Sequence, residues 1–98
     1  MTLKLLVEKI DAIDITGYPV KESLVMEKCQ LIKNGLDTLS SGNESSDSIK
    51  EFIKRVYWLG YELGSNKGLE MSKYASQQIQ YLKEAQRIAP DEYNSIVK

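Results

Sequence analysis

The sequence predicts an all-α chain, an antiparallel four-helix bundle with a short C-terminal helical tail. Three observations predict it. Apolar residues recur at spacings of three and four in four separate stretches. Clusters of Gly, Ser, Asn and Pro fall between those stretches. No stretch shows convincing strand alternation, and no internal repeat of fixed period is present. At 98 residues the chain is expected to form a single domain spanning residues 1–98. That length suffices to bury a core without disulfide or metal staples.

The first helix is expected over residues 2 to 14. Leu3, Leu6, Val7, Ile10 and Ile13 share one face, and Thr16-Gly17-Tyr18-Pro19 then breaks the pattern. The second helix is expected from about 19 to 40. Pro19 suits a first helical position, where no N–H is needed. Its stripe is Val25, Cys29, Ile32, Leu36 and Leu39, widened by Leu24 and Leu31. Gly35 sits inside, at a cost of about 1 kcal/mol against alanine. Close packing against a neighbouring helix is the expected reason.

The segment from Ser40 to Ser48 reads as the clearest loop, since its side chains compete for local backbone. Ser48 and Glu51 match a capping box just before an apolar run. The third helix is therefore placed from about 49 to 63. Its inner face is Ile49, Phe52, Ile53, Val56, Leu59, Gly60 and Leu63. Gly64 fits a C-terminal stop, followed by a short connection to Gly68. The fourth helix is expected from about 69 to 88, with Met71, Ala75, Ile79, Leu82, Ala85 and Ala89 near one line. Tyr74 and Tyr81 flank that line, and Pro90 ends the helix. A short final helix from Asp91 onward would present Tyr93, Ile96 and Val97.

Composition narrows the function. There are 13 basic and 14 acidic residues, for a net charge of −1. A nucleic-acid partner would call for a basic excess or stripe, and no polybasic segment addresses anionic lipid. No apolar run approaches transmembrane length, so direct membrane insertion is not expected. The first eight residues are too short and too charged for the apolar core of a signal peptide. A cytoplasmic location is the resulting expectation. The single cysteine forbids an intramolecular disulfide and is compatible with a reducing compartment.

The chain contains no histidine. That removes the commonest general base near neutral pH and the commonest metal ligand. Ser-His-Asp and Cys-His catalysis within the chain are excluded, and a zinc site lacks its usual ligands. No catalytic residue, metal or cofactor is assigned, and the chain is not expected to be an enzyme. Asp11 with Asp14, and Asp91 with Glu92, are the tempting carboxylate pairs, but solvated charge is the ordinary reading of both. Cys29 lies on an apolar stripe and reads as a small buried hydrophobe. Among Gln77, Gln78 and Gln80, Gln78 projects nearest the core. Buried, its amide would need partners and would fix packing register or mark a polar groove. The ordinary reading is a place at the core's edge with the amide in water.

Trp58 is the most informative residue. At 100° per residue it points almost opposite the centre of the third helix's apolar stripe. Tyr61 lies toward the same side and Tyr57 between that side and the stripe, with Lys50, Glu51 and Lys54 in the same region. Two readings are open. The patch is a binding anchor, since Trp and Tyr dominate hot spots. Alternatively, and more ordinarily, the third helix is central and another element covers Trp58. The expected partner contacts are Lys54, Trp58 and Tyr61 on the third helix, with Tyr93, Ile96 and Val97 in the tail.

The segment Ala85 to Pro90 resembles the end of a tetratricopeptide repeat. Glu62, Asn66 and Leu69 then stand where that motif requires Trp, Gly and Tyr, which excludes it. The chain also resembles the small bacteriocin immunity proteins of the enterocin A and pediocin type. The resemblance is carried by layout over most of the chain and by the stretch from Ser48 to Ala85, SIKEFIKRVYWLGYELGSNKGLEMSKYASQQIQYLKEA. That stretch has an aromatic-rich third helix, a polar connection containing Asn66-Lys67, and a fourth helix rich in Gln, Leu and Tyr. The chain departs from the family in its near-neutral charge and its short tail after Pro90. The resemblance implies a cytoplasmic four-helix bundle that protects a producing cell through the membrane receptor complex attacked by its own peptide. Two other roles fit the residues: a small phage- or mobile-element-encoded inhibitor of a host or defence enzyme, and a homodimeric structural or regulatory module in which a symmetry mate covers Trp58.

Overall fold

The structure is a computed structural model and describes residues 2–15, 21–65 and 72–97. Five helices, and no strand, occur among these residues: α1 Leu3–Asp11, α2 Glu22–Ser40, α3 Ser46–Ser65, α4 Ser72–Ile88 and α5 Pro90–Ile96.

Helix α1 begins where two of its orphan N–H groups find oxygen. Extended Thr2 accepts from the Leu5 N–H through Oγ1 at 3.3 Å, and the Glu44 carboxylate accepts from the Leu3 N–H at 3.0 Å. A first turn left without such partners would expose several unsatisfied donors. The helix stops at Asp11, three residues short of expectation. A tight bond from the Ile13 N–H to the Ile10 carbonyl closes its end, and the chain then turns to bury Ile15 completely.

In α2 the expected stripe of Val25, Cys29, Ile32, Leu36 and Leu39 is buried. Two further residues lie on it, Lys28 and Gly35. Gly35 is there for space. A Cβ at this position would overlap Cε1 of the Phe52 ring and lie 2.6 Å from its Cζ. The close packing expected at Gly35 is thus the α2–α3 crossing. Residues 19 and 20, where the helix was expected to begin, lie outside the described residues.

Helix α3 starts three residues earlier than the capping box indicates. Ser45, not Ser48, is the cap, and its Oγ accepts from the Ser48 N–H at 3.2 Å. A run of serines offers several equivalent caps, and the tertiary position of the loop selects one. Gly42 supplies the left-handed turn that precedes it, at φ 77°, a conformation costly for residues with a Cβ. Ser45→Ala is expected to lower stability by about 1 kcal/mol, read from a urea melt. An unchanged midpoint would place the cap elsewhere. At its other end α3 runs through Gly64 to Ser65, so Gly64 does not stop it. The inner face of α3 is as expected, with Phe52, Ile53, Val56, Leu59 and Leu63 buried.

Helix α4 follows its expected line toward its C-terminus, where Ala85 and then Ala89 are buried, and departs from it earlier. Ala75 and Ile79 face outward, while Tyr74 and Gln78 are buried. There the inward line is displaced by one position, and the polar ends on it are satisfied inside. The Tyr74 hydroxyl donates to Glu22 of α2. The Gln78 Nε2 donates to the Val56 carbonyl of α3 at 3.1 Å. Gly60 leaves room for that amide, since a Cβ there would come within 3.1 Å of Nε2. The Gln78 amide therefore does not reach water. Met71 and residues 69 and 70 lie outside the described residues.

Helix α1 packs on α2 and α3, and α4 packs on the same two helices. The α2–α3 contact crosses the space between them at Gly35 and Phe52. Helix α5 follows α4 after Ala89, with Pro90 at its first position, and packs on α3 and α4. Its Tyr93 and Ile96 lie half-buried against the core. None of the described helices is long and apolar enough to cross a membrane.

Candidate functional site

Among the described residues, the large aromatics that stand most exposed lie together on the outer face of α3. Tyr57, Trp58 and Tyr61 are 49%, 51% and 77% exposed. None of the described helices covers Trp58, which stays half exposed, so of the two arrangements left open by the periodicity the described residues have the uncovered one. The reason is the register of α1. Its C-terminal turn runs beside α3 and ends at Asp11, leaving a groove between the two helices instead of closing over the indole.

That groove encloses about 720 Å³, within the range of roughly 300–1,000 Å³ usual for ligand sites. Ile10, Ile13, Tyr57, Trp58 and Tyr61 give it an apolar lining, and Asp11, Asp14, Lys28, Arg55 and Glu62 supply its charge. The charged groups are arranged in pairs. Arg55 donates from Nε and Nη2 to the two carboxylate oxygens of Asp11, both at 2.9 Å. It also donates from Nη1 to the Glu51 carboxylate at 3.0 Å. Its guanidinium carbon lies 5.3 Å from the centroid of the Trp58 ring, within reach of a cation–π attraction. The bond from Arg55 holds the Asp11 carboxyl below its ordinary range, opposed by partial burial. One guanidinium thus fixes the indole of α3 against the end of α1.

The second pair lies deeper. The Lys28 Nζ donates to the Glu62 carboxylate at 2.7 Å and to the Ile13 carbonyl at 3.0 Å. Lys28 and Glu62 side chains are 5% and 17% exposed. This pair was missed in the sequence, although a signal was present. Lys28 falls three residues after Val25 and four before Ile32, on an apolar stripe where an unpaired ammonium would be costly. Glu62 sits similarly between Leu59 and Leu63.

The remaining expected contacts are placed elsewhere. Lys54 pairs with Glu51 at 2.8 Å and does not line the groove. Neither do Tyr93, Ile96 and Val97, which belong to the α5 side of the molecule. The structure therefore brings Trp58, Tyr61 and Tyr57 together, and separates them from the tail. Among the described residues no cluster of three or more Cys, Asp or Glu could hold a metal ion.

Cys29 is buried on α2, and burial pushes its thiol up to about 11, partly countered by the charge of Lys28. A thiol in that state is a poor nucleophile at neutral pH. Alkylation of Cys29 at pH 8 is expected to be at least about a hundredfold slower in the folded chain than in denaturant. Equal rates would place the thiol in solvent.

No family model matches the chain, and neither a curated protein nor a solved structure matches it.

Proposed function

We propose that this chain is a non-enzymatic, helical protein-binding protein of the bacteriocin-immunity type. In this reading it is an antiparallel four-helix bundle with a helical tail, and acts in the cytoplasm on a membrane receptor complex. The observation that carries the binding role is the half-exposed Trp58 between Tyr57 and Tyr61 in an open groove. Trp and Tyr in such positions contribute most of the energy at protein interfaces. The ring of contacts among α1, α2, α4 and α3 supports the bundle. Lys54 extends the α3 surface, and Tyr93, Ile96 and Val97 form a second contact segment on α5. The immunity assignment rests on the layout from Ser48 to Ala85.

Trp58→Ala is expected to abolish partner binding and to leave helicity and a cooperative melt, at a stability about 2–3 kcal/mol below wild type. The buried half of the indole, roughly 100 Å² at about 25 cal/mol per Å², sets that loss. A tagged pull-down from source cells tests this, with wild type beside the variant and membrane and soluble fractions kept apart. A transporter or receptor recovered by wild type alone supports immunity. A soluble enzyme supports the inhibitor role instead. Loss of the cooperative melt in Trp58→Ala would make Trp58 a core residue and remove the reading.

A further inference from the structure

We infer that the groove between α1 and α3 is occupied by a second copy of this chain, the two copies pairing their α3 helices antiparallel about a two-fold axis near Trp58. The first argument is charge. Every charged group that lines the groove is already answered within the chain. Asp11 accepts from Arg55 through both carboxylate oxygens, Glu62 accepts from Lys28, and Asp14 is also engaged. The third N–H group of Arg55 is taken by Glu51. The face therefore offers ring surface and no uncompensated charge to draw a charged ligand. It suits an occupant whose own face is aromatic and charge-balanced, and a second copy presents that same face. With a net charge of −1, two copies meet little mutual repulsion, and chains near neutrality are those that associate.

The second argument is self-complementarity along α3. A two-fold interface sets one patch against itself, so that residue i meets j and j meets i. The α3 patch is unlike at its two ends. Tyr61, the most exposed of its rings, stands at one end and Lys54 at the other. Two helical turns, about 10 Å, separate them. Antiparallel pairing about Trp58 brings the Tyr61 ring of each copy to the Lys54 turn of the other, and the two indoles to the centre. A cation against a ring face is attractive, whereas parallel pairing would set lysine against lysine. The third argument is area. Tyr57, Trp58 and Tyr61, half to three-quarters exposed, offer roughly 350 Å² of ring surface per copy. The Lys54 stem and the α1 wall extend this toward the roughly 500 Å² per partner at which specific interfaces begin. A dimer of that size is reversible. Where the binding role proposed above holds, partner and second copy compete for one face, and the dimer withholds Trp58. That consequence rests on the binding role, and the pairing rests on the face alone.

The test is sedimentation equilibrium of the full chain from about 10 to 500 μM, a range set by the small size of the interface. Wild type is expected to pass from monomer to dimer across it. Trp58→Ala is expected to weaken association at least about tenfold, with its cooperative melt verifying the fold. Tyr61→Lys, at the most exposed ring position, is expected to weaken association similarly by setting lysine against Lys54 of the other copy. Adding Lys54→Glu to that variant is expected to restore the dimer, since each new lysine then meets a carboxylate. A monomer throughout the range overturns the inference, and so does a dimer indifferent to Trp58→Ala. A double variant that fails to recover overturns the antiparallel pairing. The pull-down with Trp58→Ala reads the binding role separately. A monomeric wild type that captures a partner sinks this inference and leaves that role, and a dimer that captures none does the reverse.

Discussion

Glu62→Leu is expected to destabilise the folded chain by about 3–5 kcal/mol, the usual effect of breaking a buried ion pair by removing one partner. The cost comes from what remains. Lys28 would keep its bond to the Ile13 carbonyl but hold an ammonium, 5% exposed, without a counter-charge. Domains of this size are stable by only about 5–15 kcal/mol, so one substitution would remove a large fraction of the total. The double variant Lys28→Met with Glu62→Leu is expected to recover most of the loss, because paired burial of charge gains little over apolar packing. Urea denaturation followed by far-ultraviolet circular dichroism measures both. A Glu62→Leu midpoint equal to wild type would mean that water reaches Lys28.

The second large effect is expected at Gly35. On an exposed helix, glycine to alanine stabilises by about 1 kcal/mol. Here the new Cβ would meet the edge of the Phe52 ring, and Phe52 is completely buried. Overpacking of that kind costs about 1–3 kcal/mol, so Gly35→Ala is expected to destabilise by about 1 kcal/mol net and Gly35→Leu by about 3 kcal/mol or more. In a Phe52→Leu background the alanine is expected to become neutral or stabilising, because the space taken by the ring edge is released. Thermal melts of the wild type and these four variants decide it. A stabilising Gly35→Ala in the wild-type background would mean that α2 and α3 do not cross here.

Much of the fold was legible because burial follows period. The stripes of α1, α2 and α3 needed only the spacing of Leu, Ile and Val. Legibility failed where polar side chains took core positions. Tyr74 and Gln78 turn inward because Glu22 and the Val56 carbonyl receive their donors, and a periodicity count has no knowledge of acceptors on other helices. The start of α3 was misplaced for a related reason, since Ser45 and Ser48 are equal as caps until the loop is positioned. At the site, Trp58 was legible as an outlier from its stripe, but its exposure was not. That depends on where α1 ends relative to α3. The Lys28–Glu62 pair was the strongest signal passed over, two opposite charges each set into an apolar face.

The shortness of α1 has a consequence for how the groove exists in time. Nine residues are too few to hold a helix in water unaided. Docking sustains α1, through Leu3, Leu6, Val7 and Ile10 and through a carboxylate 41 positions along the chain at Glu44. Such a helix depends on the faces of α2 and α3 that it docks against, and it can detach by sub-global opening. One wall of the groove therefore belongs to a helix that owes its structure to docking. A ligand that touches both walls binds only the docked population, and by mass action it draws α1 onto the core. Occupancy of the groove and protection of the α1 amides from exchange are two readings of one equilibrium.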